Sequence, residues 1–576
     1  MTIAETVAQV VGRRLAAHGV DHVFGVVGSG NFHVTNALVA AGARFIAAAH
    51  EGGAASMADG YARTSGRLTA LSVHQGPGVT NALTGIIEAA KSRTPLIVLA
   101  PEATSPRSNF FIDLPGIAAA IGAGFRRISA ARVAAEVDEA CRAATTGVGQ
   151  TVMLALPLDV QGQPAGDVGV GQRNVQGQRA GDLGVGEVSI QDQTAGALEV
   201  RAAPPAPVDI GPLVDALARA RRPVFIAGRG AARAPEAARR ALTALADRTG
   251  ALLAVSAAAK GLFAGDPWYL DVSGGFATPL AAELIAGADL IVAWGSTLNM
   301  WTTRHGQLIA PGTVVARVDL QPGALGVNGP AELAICGELV SVADACCAEL
   351  DRRAIVLSGA RTPALRARIA AEGRWRAVPY HDQTGGGRID PRTLSIALDD
   401  LLPAQRTVVI DSGNFMGYPS MFLDVPDTAG FCFTQAFQSI GLGLASALGA
   451  AVARPDRLTV AAIGDGGFLM SAAELATAAR LERALAVVVY NDAAYGAEVH
   501  HFGPGGHPLD TVMFPDTDLA GIARGFGCDG TTVRSLDDLD GVRAWLAGPR
   551  TRPLVIDAKV VSSQPSWWLE EAFRGH

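Results

Sequence analysis

The chain has 576 residues, 49% of them hydrophobic and 18% charged, with 68 glycines and a formal net charge of −7. That length suits about three domains. With 47 basic against 54 acidic residues and no basic stripe, nucleic acid is not an expected partner, and no apolar run reaches membrane-spanning length. The first nine residues include Glu5 and lack the long apolar region of a signal peptide. The six cysteines (Cys141, Cys336, Cys346, Cys347, Cys432, Cys528) show no metal-ligand spacing. A reducing cytoplasm is the expected location, with Cys346 and Cys347 as packing thiols in a helical pattern.

Residues 1–160 alternate helical patterns with short apolar runs at 23–25, 44–48, 68–74, 96–100 and 151–156. Such alternation predicts a parallel sheet. Residues 160–170 are then echoed by 175–185, with a weaker copy from 190. This glycine-rich repeat can bury little apolar surface, so 161–205 reads as a linker. Residues 206–356 repeat the strand pattern at 224–227, 252–255, 290–294 and 314–318. There Gly228-Arg229-Gly230 and Gly295-Ser296 follow buried strands and could cradle an adenine nucleotide. Residues 357–384 read as a helix and linker.

Residues 385–576 form the third unit. A strand at 407–410 leads into Asp411-Ser412-Gly413-Asn414-Phe415, and one at 458–463 into Gly464-Asp465-Gly466-Gly467. Glycines there let backbone approach a ligand closely. Ser471 precedes Glu474 by three residues, a capping-box pattern that predicts a helix running to 485. The next strand, 486–490, ends at Asn491-Asp492. Parallel strands would put Asp465 and Asn491/Asp492 at one sheet edge, where open α/β sheets bind ligands. Oxygen ligands at such an edge suit magnesium bridging protein carboxylates and phosphates. The fold expectation is therefore α/β, with three doubly wound parallel-sheet domains.

The run 49–63 around Glu51, taken with Gly464-Asp465-Gly466 and the spacing from Asp465 to Asp492, resembles thiamine-diphosphate enzymes. The order of units is similar to the branch containing acetolactate synthase, benzoylformate decarboxylase and pyruvate decarboxylase. That resemblance implies a pyrimidine-binding domain, a middle domain and a diphosphate-binding domain. It implies Mg2+ held by Asp465, Asp492 and the carbonyl of Ala494, although the family usually has Asn at the later position. Glu51 would bond N1′ of the aminopyrimidine, favouring the imino tautomer that removes the C2 proton. Ile440 would wedge the cofactor into its bent shape, the carbonyl of Gln438 would accept from the 4′-amino group, and Gly413, Asn414, Gly464, Gly466 and Gly467 would meet the diphosphate. In this branch the site lies at a dimer interface, so a dimer or dimer of dimers is expected. Acetolactate synthases carry flavin (FAD) in the middle domain, whereas many relatives bind nothing there; the latter is the expectation here.

His74, together with Ser29, resembles the substrate-binding pair of benzoylformate decarboxylase. Glu498 matches a proton-relay glutamate of pyruvate decarboxylases. These assign Glu51, His74, Glu498 and Ser29 as catalytic. His500 and His501 stand near enough in sequence to line the same cavity, and Phe111 could keep half of the Phe-Gln pocket pair of acetolactate synthases, with Ile112 in place of the glutamine. The Trp567-Trp568-Leu569 segment could close over the site or pack on the domain surface, the latter preferred.

The leading expectation is a lyase that releases CO2 from a 2-oxo acid and transfers the acyl anion to a carbonyl acceptor. A non-ligating decarboxylase and a non-catalytic cofactor-binding paralogue are the alternatives.

Overall fold

The computed structural model describes residues 4–166, 208–329, 331–355, 357, 359–563 and 565–569; the repeat from 167 onward lies outside them. The apolar runs form three six-stranded sheets, each parallel throughout. The first contains β1 (His22–Gly25), β2 (Arg44–Ala47), β3 (Thr69–Ser72), β4 (Leu96–Glu102), β5 (Gly124–Arg127) and β6 (Thr151–Pro157), in the order β2-β1-β3-β4-β6-β5. The second contains β7 (Pro223–Ala227), β8 (Leu252–Val255), β9 (Tyr269–Val272), β10 (Leu290–Trp294), β11 (Val314–Asp319) and β12 (Leu333–Cys336), in the order β12-β11-β10-β7-β8-β9. The third contains β13 (Arg406–Ile410), β14 (Phe431–Phe433), β15 (Leu458–Gly464), β16 (Leu485–Asn491), β17 (Asp529–Val533) and β18 (Leu554–Lys559), in the order β14-β13-β15-β16-β18-β17. Helices cover the sheets, so central strands such as β4, β6 and β16 are buried along their whole length.

Sheets one and three share one strand order. In both, the order reverses beside the first strand: between β1 and β3, and between β13 and β15. At such a reversal the flanking loops diverge and leave a crevice at the carboxyl ends of the strands. The middle sheet has its reversal between β7 and β10, the arrangement of dinucleotide-binding folds.

Several strands escaped the sequence reading. Edge strands β5 and β17 are largely half-exposed and carry no continuous apolar run. β18 is buried but contains Asp557 and Lys559, which pair at 3.1 Å. The capping box at Ser471 is a correction. Ser471 ends the helix Asp465–Ser471 and bonds back to the carbonyl of Gly467, while the next helix, Glu474–Leu481, starts without it. Glu474 is drawn away by partners in the first sheet's unit.

The first and third units share one apolar core. Its centre is the crossing of helices Glu51–Ser65 and Gly443–Ala453, both rich in alanine and glycine. A Cβ on Gly60 would lie 2.2 Å from the carbonyl oxygen of Ser446, and one on Gly449 would lie 1.9 Å from that of Met57. Only glycine permits this approach. Among the described residues no helix is long and apolar enough to cross a membrane.

Gly449→Leu is therefore expected to lower stability by about 1–3 kcal/mol or more through overpacking, read as a fall in thermal midpoint. Gly525→Ala, where a Cβ meets nothing within 4 Å, should leave it unchanged or slightly raised.

Candidate active site

The reversal between β13 and β15 opens into a cavity of about 1350 Å³. Loops after three neighbouring strands line it: Gly413 and Asn414 after β13, Gly464 to Gly467 after β15, and Asp492, Ala494 and Glu498 after β16. Gln438 and Ile440 reach it from the loop between β14 and the helix Gly443–Ala453. The walls leave no room for larger residues. A Cβ on Gly466 would lie 2.5 Å from the Tyr495 ring, and one on Gly467 would lie 2.5 Å from Asp411 Oδ2.

Asp465 and Asp492 both line this cavity, and each lies within the electrostatic reach of the other. Burial raises both carboxyls well above the usual range. At Asp492 the Asp465 charge adds to the effect, and Asn414 partly offsets it. Two carboxylates forced together in a buried site are relieved by a divalent cation, and this donor set fits Mg2+ with phosphate oxygens completing its shell. Asn491 is turned away from the cavity: its side chain donates to Asp557 at 2.8 Å and accepts from Ala493 N at 3.1 Å.

The segment 438–440 is held from one side by Asp411, a buried residue at the end of β13. Its Oδ2 accepts from Gly441 N at 2.9 Å, and its Oδ1 accepts from Ser412 N at 2.9 Å and Leu442 N at 3.2 Å. Burial pushes the Asp411 carboxyl up to about 6, against the pull of these amides. Gln438 has φ +60°, a left-handed backbone that a side chain tolerates only under constraint. Ile440 is half-buried.

A second set of residues gathers at the matching reversal of the first sheet, between β1 and β3. Ser29 Oγ lies 3.3 Å from His74 Nε2, and His74 Nδ1 lies 3.0 Å from the carbonyl of Gln75. That carbonyl can only accept, so Nδ1 donates to it and Nε2 faces Ser29. A Cβ on Gly28 would lie 2.0 Å from the His74 ring, so glycine lets the Ser29 loop close on it. Glu51, at the start of the helix Glu51–Ser65, is half-exposed and accepts from Asn81 Nδ2 at 3.1 Å. Buried Glu474 fixes the backbone before it, accepting from Ala49 N at 3.2 Å and His50 N at 3.0 Å.

Within one chain these two sets do not share a cavity. Ser29, Glu51, His74 and Phe111 are absent from the lining of the large one, and Phe111 is exposed. His500 and His501 do not line it either. Both sit with Glu498 on the helix Gly496–Phe502, where successive side chains turn by about 100°. Glu498 points inward. Burial holds the His500 imidazole below its usual range, and exposed His501 rests against the Phe502 ring, with centroids 4.6 Å apart.

The cavity continues into the crevice of the middle sheet, past Gly230, Gly295, Ser296 and Asp319, to a basic end at Lys91, Arg93, Arg229 and Arg233. The tail does more than either sequence reading allowed. Trp568 is buried and donates Nε1 to the Asn414 carbonyl at 3.2 Å; Ser566 Oγ donates to Asn414 Oδ1 at 2.6 Å; Leu569 lines the cavity. Asp411 and Glu474 were missed as organisers. Only the position of Asp411, an acid closing an apolar run, signalled it in the sequence.

Comparison with known proteins agrees with this geometry. Three family models match in order: "Thiamine pyrophosphate enzyme, N-terminal TPP binding domain" at residues 5–114, the central domain at 210–346, and the C-terminal TPP binding domain at 411–558. The chain is 29% identical to the "Probable 2-ketoarginine decarboxylase" of Pseudomonas aeruginosa, over 93% of this chain and 90% of that protein. It is 28% identical to the sulfoacetaldehyde acetyltransferase of Alcaligenes xylosoxydans xylosoxydans, over 91% of this chain and 87% of that protein. The solved thiamine diphosphate-dependent 4-hydroxybenzoylformate decarboxylase of Rhodococcus jostii RHA1 has the same fold, with a TM-score of 0.74 at 21% identity, covering 97% of this chain and 100% of that one. The three models span more than half of the sequence, and the chain belongs to the thiamine pyrophosphate enzyme family.

Proposed function

We propose that this thiamine-diphosphate-dependent enzyme releases CO2 from a 2-oxo acid and protonates the remaining fragment to an aldehyde. The observation that carries the reading is the Ser29–His74 pair, whose tautomer is fixed by the Gln75 carbonyl at 3.0 Å. Such a pair can bind a carboxylate and move a proton.

Thiamine diphosphate, when bound, supplies a nucleophilic carbon that adds to the ketone and takes up the electron pair left by departing CO2. Gly413, Asn414, Gly464, Gly466 and Gly467 would receive its diphosphate, and Asp465, Asp492 and the Ala494 carbonyl would hold Mg2+. Ile440 and Gln438 would orient the pyrimidine, and Glu51 would hold a proton against its ring nitrogen. His74 Nε2, through Ser29, would take and return the proton that the product needs, with Glu498 of the cavity wall as a second donor.

Because the two sets of residues lie apart in one chain, the working unit is a dimer. A partner copy would bring its Glu51, Ser29 and His74 to this chain's Asp465 and Ile440. The apolar residues around both sets support this: Val27, Phe110 and Phe111 on one side, and Phe437, Leu469 and Met470 on the other, are each at least 40% exposed. Acyl transfer to a carbonyl acceptor is the second reading, favoured by full-length similarity to an acetyltransferase.

Glu51→Gln should lower CO2 release about 100-fold or more with the fold intact by circular dichroism; undiminished turnover would remove Glu51 from the chemistry. In a panel of 2-oxo acids with thiamine diphosphate and Mg2+, mass spectrometry should find an aldehyde. An acyloin or 2-hydroxy-2-oxo-acid product would select the second reading, and no release from any acid would sink both. Asp492→Asn removes one of the two charges, so Mn2+ binding without cofactor, followed by electron paramagnetic resonance, should weaken roughly tenfold.

A further inference from the structure

Glu88 is a buried carboxylate that the chemistry above does not use. It lies on the helix Pro77–Lys91 of the first unit, yet it holds backbone of the third. Its Oε1 accepts from Ala436 N at 3.1 Å and its Oε2 from Phe437 N at 2.7 Å. Arg63 Nη1 lies 3.3 Å from Glu88 and 3.2 Å from Asp59, while Arg63 Nη2 donates to the Phe433 carbonyl at 2.7 Å. Ser92 Oγ donates to Glu88 at 3.2 Å. The loop from 433 to 437 is thus held by charged hydrogen bonds from another unit, immediately before Gln438 with its left-handed backbone. Beyond Ile440, Asp411 accepts from Gly441 and Leu442. Two buried carboxylates therefore bracket the three residues 438–440.

The arrangement has a counterpart. Sheets one and three share one strand order, and Glu88 follows β3 as Glu474 follows β15. Glu474 of the third unit accepts from Ala49 and His50, the residues before Glu51, in the loop after β2. Glu88 of the first unit accepts from Ala436 and Phe437, the residues before Gln438, in the loop after β14. Each unit lends a buried glutamate to the other's equivalent loop.

We propose that Glu88, oriented by Arg63, is a positioning residue that sets the backbone of 436–440 so that Gln438 and Ile440 meet the cofactor's pyrimidine. The inference rests on the thiamine diphosphate reading above. A charge-assisted bond is roughly twice as strong as a neutral one, and leaving a buried amide unpaired adds its desolvation cost. Loss of Glu88 therefore lets the loop relax, and the left-handed residue relaxes with it.

The test is calorimetric titration of thiamine diphosphate, with saturating Mg2+, into the full-length wild type, Glu88→Gln and Arg63→Lys. Glu102→Gln is the control: Glu102 is also buried and paired with Arg127 at 2.7 Å, but it is absent from the lining of the cavity. Glu88→Gln should raise the cofactor Kd roughly tenfold or more. Arg63→Lys should raise it by less, and Glu102→Gln should lower the thermal midpoint without moving Kd. Should Glu88→Gln fail to fold, Arg63→Lys decides alone. Wild-type Kd in the folded Glu88 and Arg63 variants, or an equal rise in the Glu102 control, overturns the positioning role while leaving the functional reading intact. A wild type that does not bind thiamine diphosphate overturns both.

Discussion

Everything in the site depends on one close contact, the crossing of the helices Glu51–Ser65 and Gly443–Ala453. Backbone meets backbone there, with Gly60 against Ser446 and Gly449 against Met57. A crossing this tight fixes the first and third sheets as one body with a common core. Dense packing transmits small displacements, so the loops entering both helices are located to the same tolerance. Those loops carry Glu51 at one helix and Gln438–Ile440 at the other.

The crossing fixes where the helices lie, and buried carboxylates fix the loops that lead into them. Asp411, Glu88 and Glu474 all spend their oxygens on backbone amides rather than on ligand. A buried ionised group is costly unless its hydrogen bonds are met, and here they are met by loops that have no regular secondary structure of their own. The polar groups that cost most to bury are placed where irregular backbone must hold a single shape. Asp465 and Asp492 differ in kind. Both are buried in the cavity wall, and the charge of Asp465 acts on Asp492, which under the proposed function suits them to a cation rather than to bracing a loop.

The two reversals of strand order have a common consequence. The pair Ser29–His74 stands at one, and the loops of Gly413, Asp465 and Asp492 at the other. The first set brings a serine hydroxyl to an imidazole, and the second offers glycine backbone and two carboxyls. Within one chain the two sets stay apart, since Ser29, Glu51 and His74 are absent from the lining of the cavity that holds Gly413, Asp465 and Asp492. The tail adds a further tie, since Trp568 and Ser566 bond Asn414 in the loop after β13.

The sequence by itself determined the parallel sheets, because these depend on local signals, apolar runs and glycines after strands, and the motifs around Glu51 and Asp465 carried the resemblance that pointed to the cofactor class. It could not show the edge strands β5 and β17, whose half-exposed residues carry no continuous pattern, or β18, whose apolar run is broken by Asp557 and Lys559. It misjudged Ser471–Glu474 because a capping box is a local rule, and Glu474 is claimed by amides over 420 residues away in sequence. It grouped His500 and His501 with Glu498 by proximity in sequence, which a helix overrides within two residues. Only the tertiary structure decided that Glu88, Asp411 and Glu474 brace the site. Their partners are backbone amides, many of them distant in sequence, and an amide leaves no mark on residue identity.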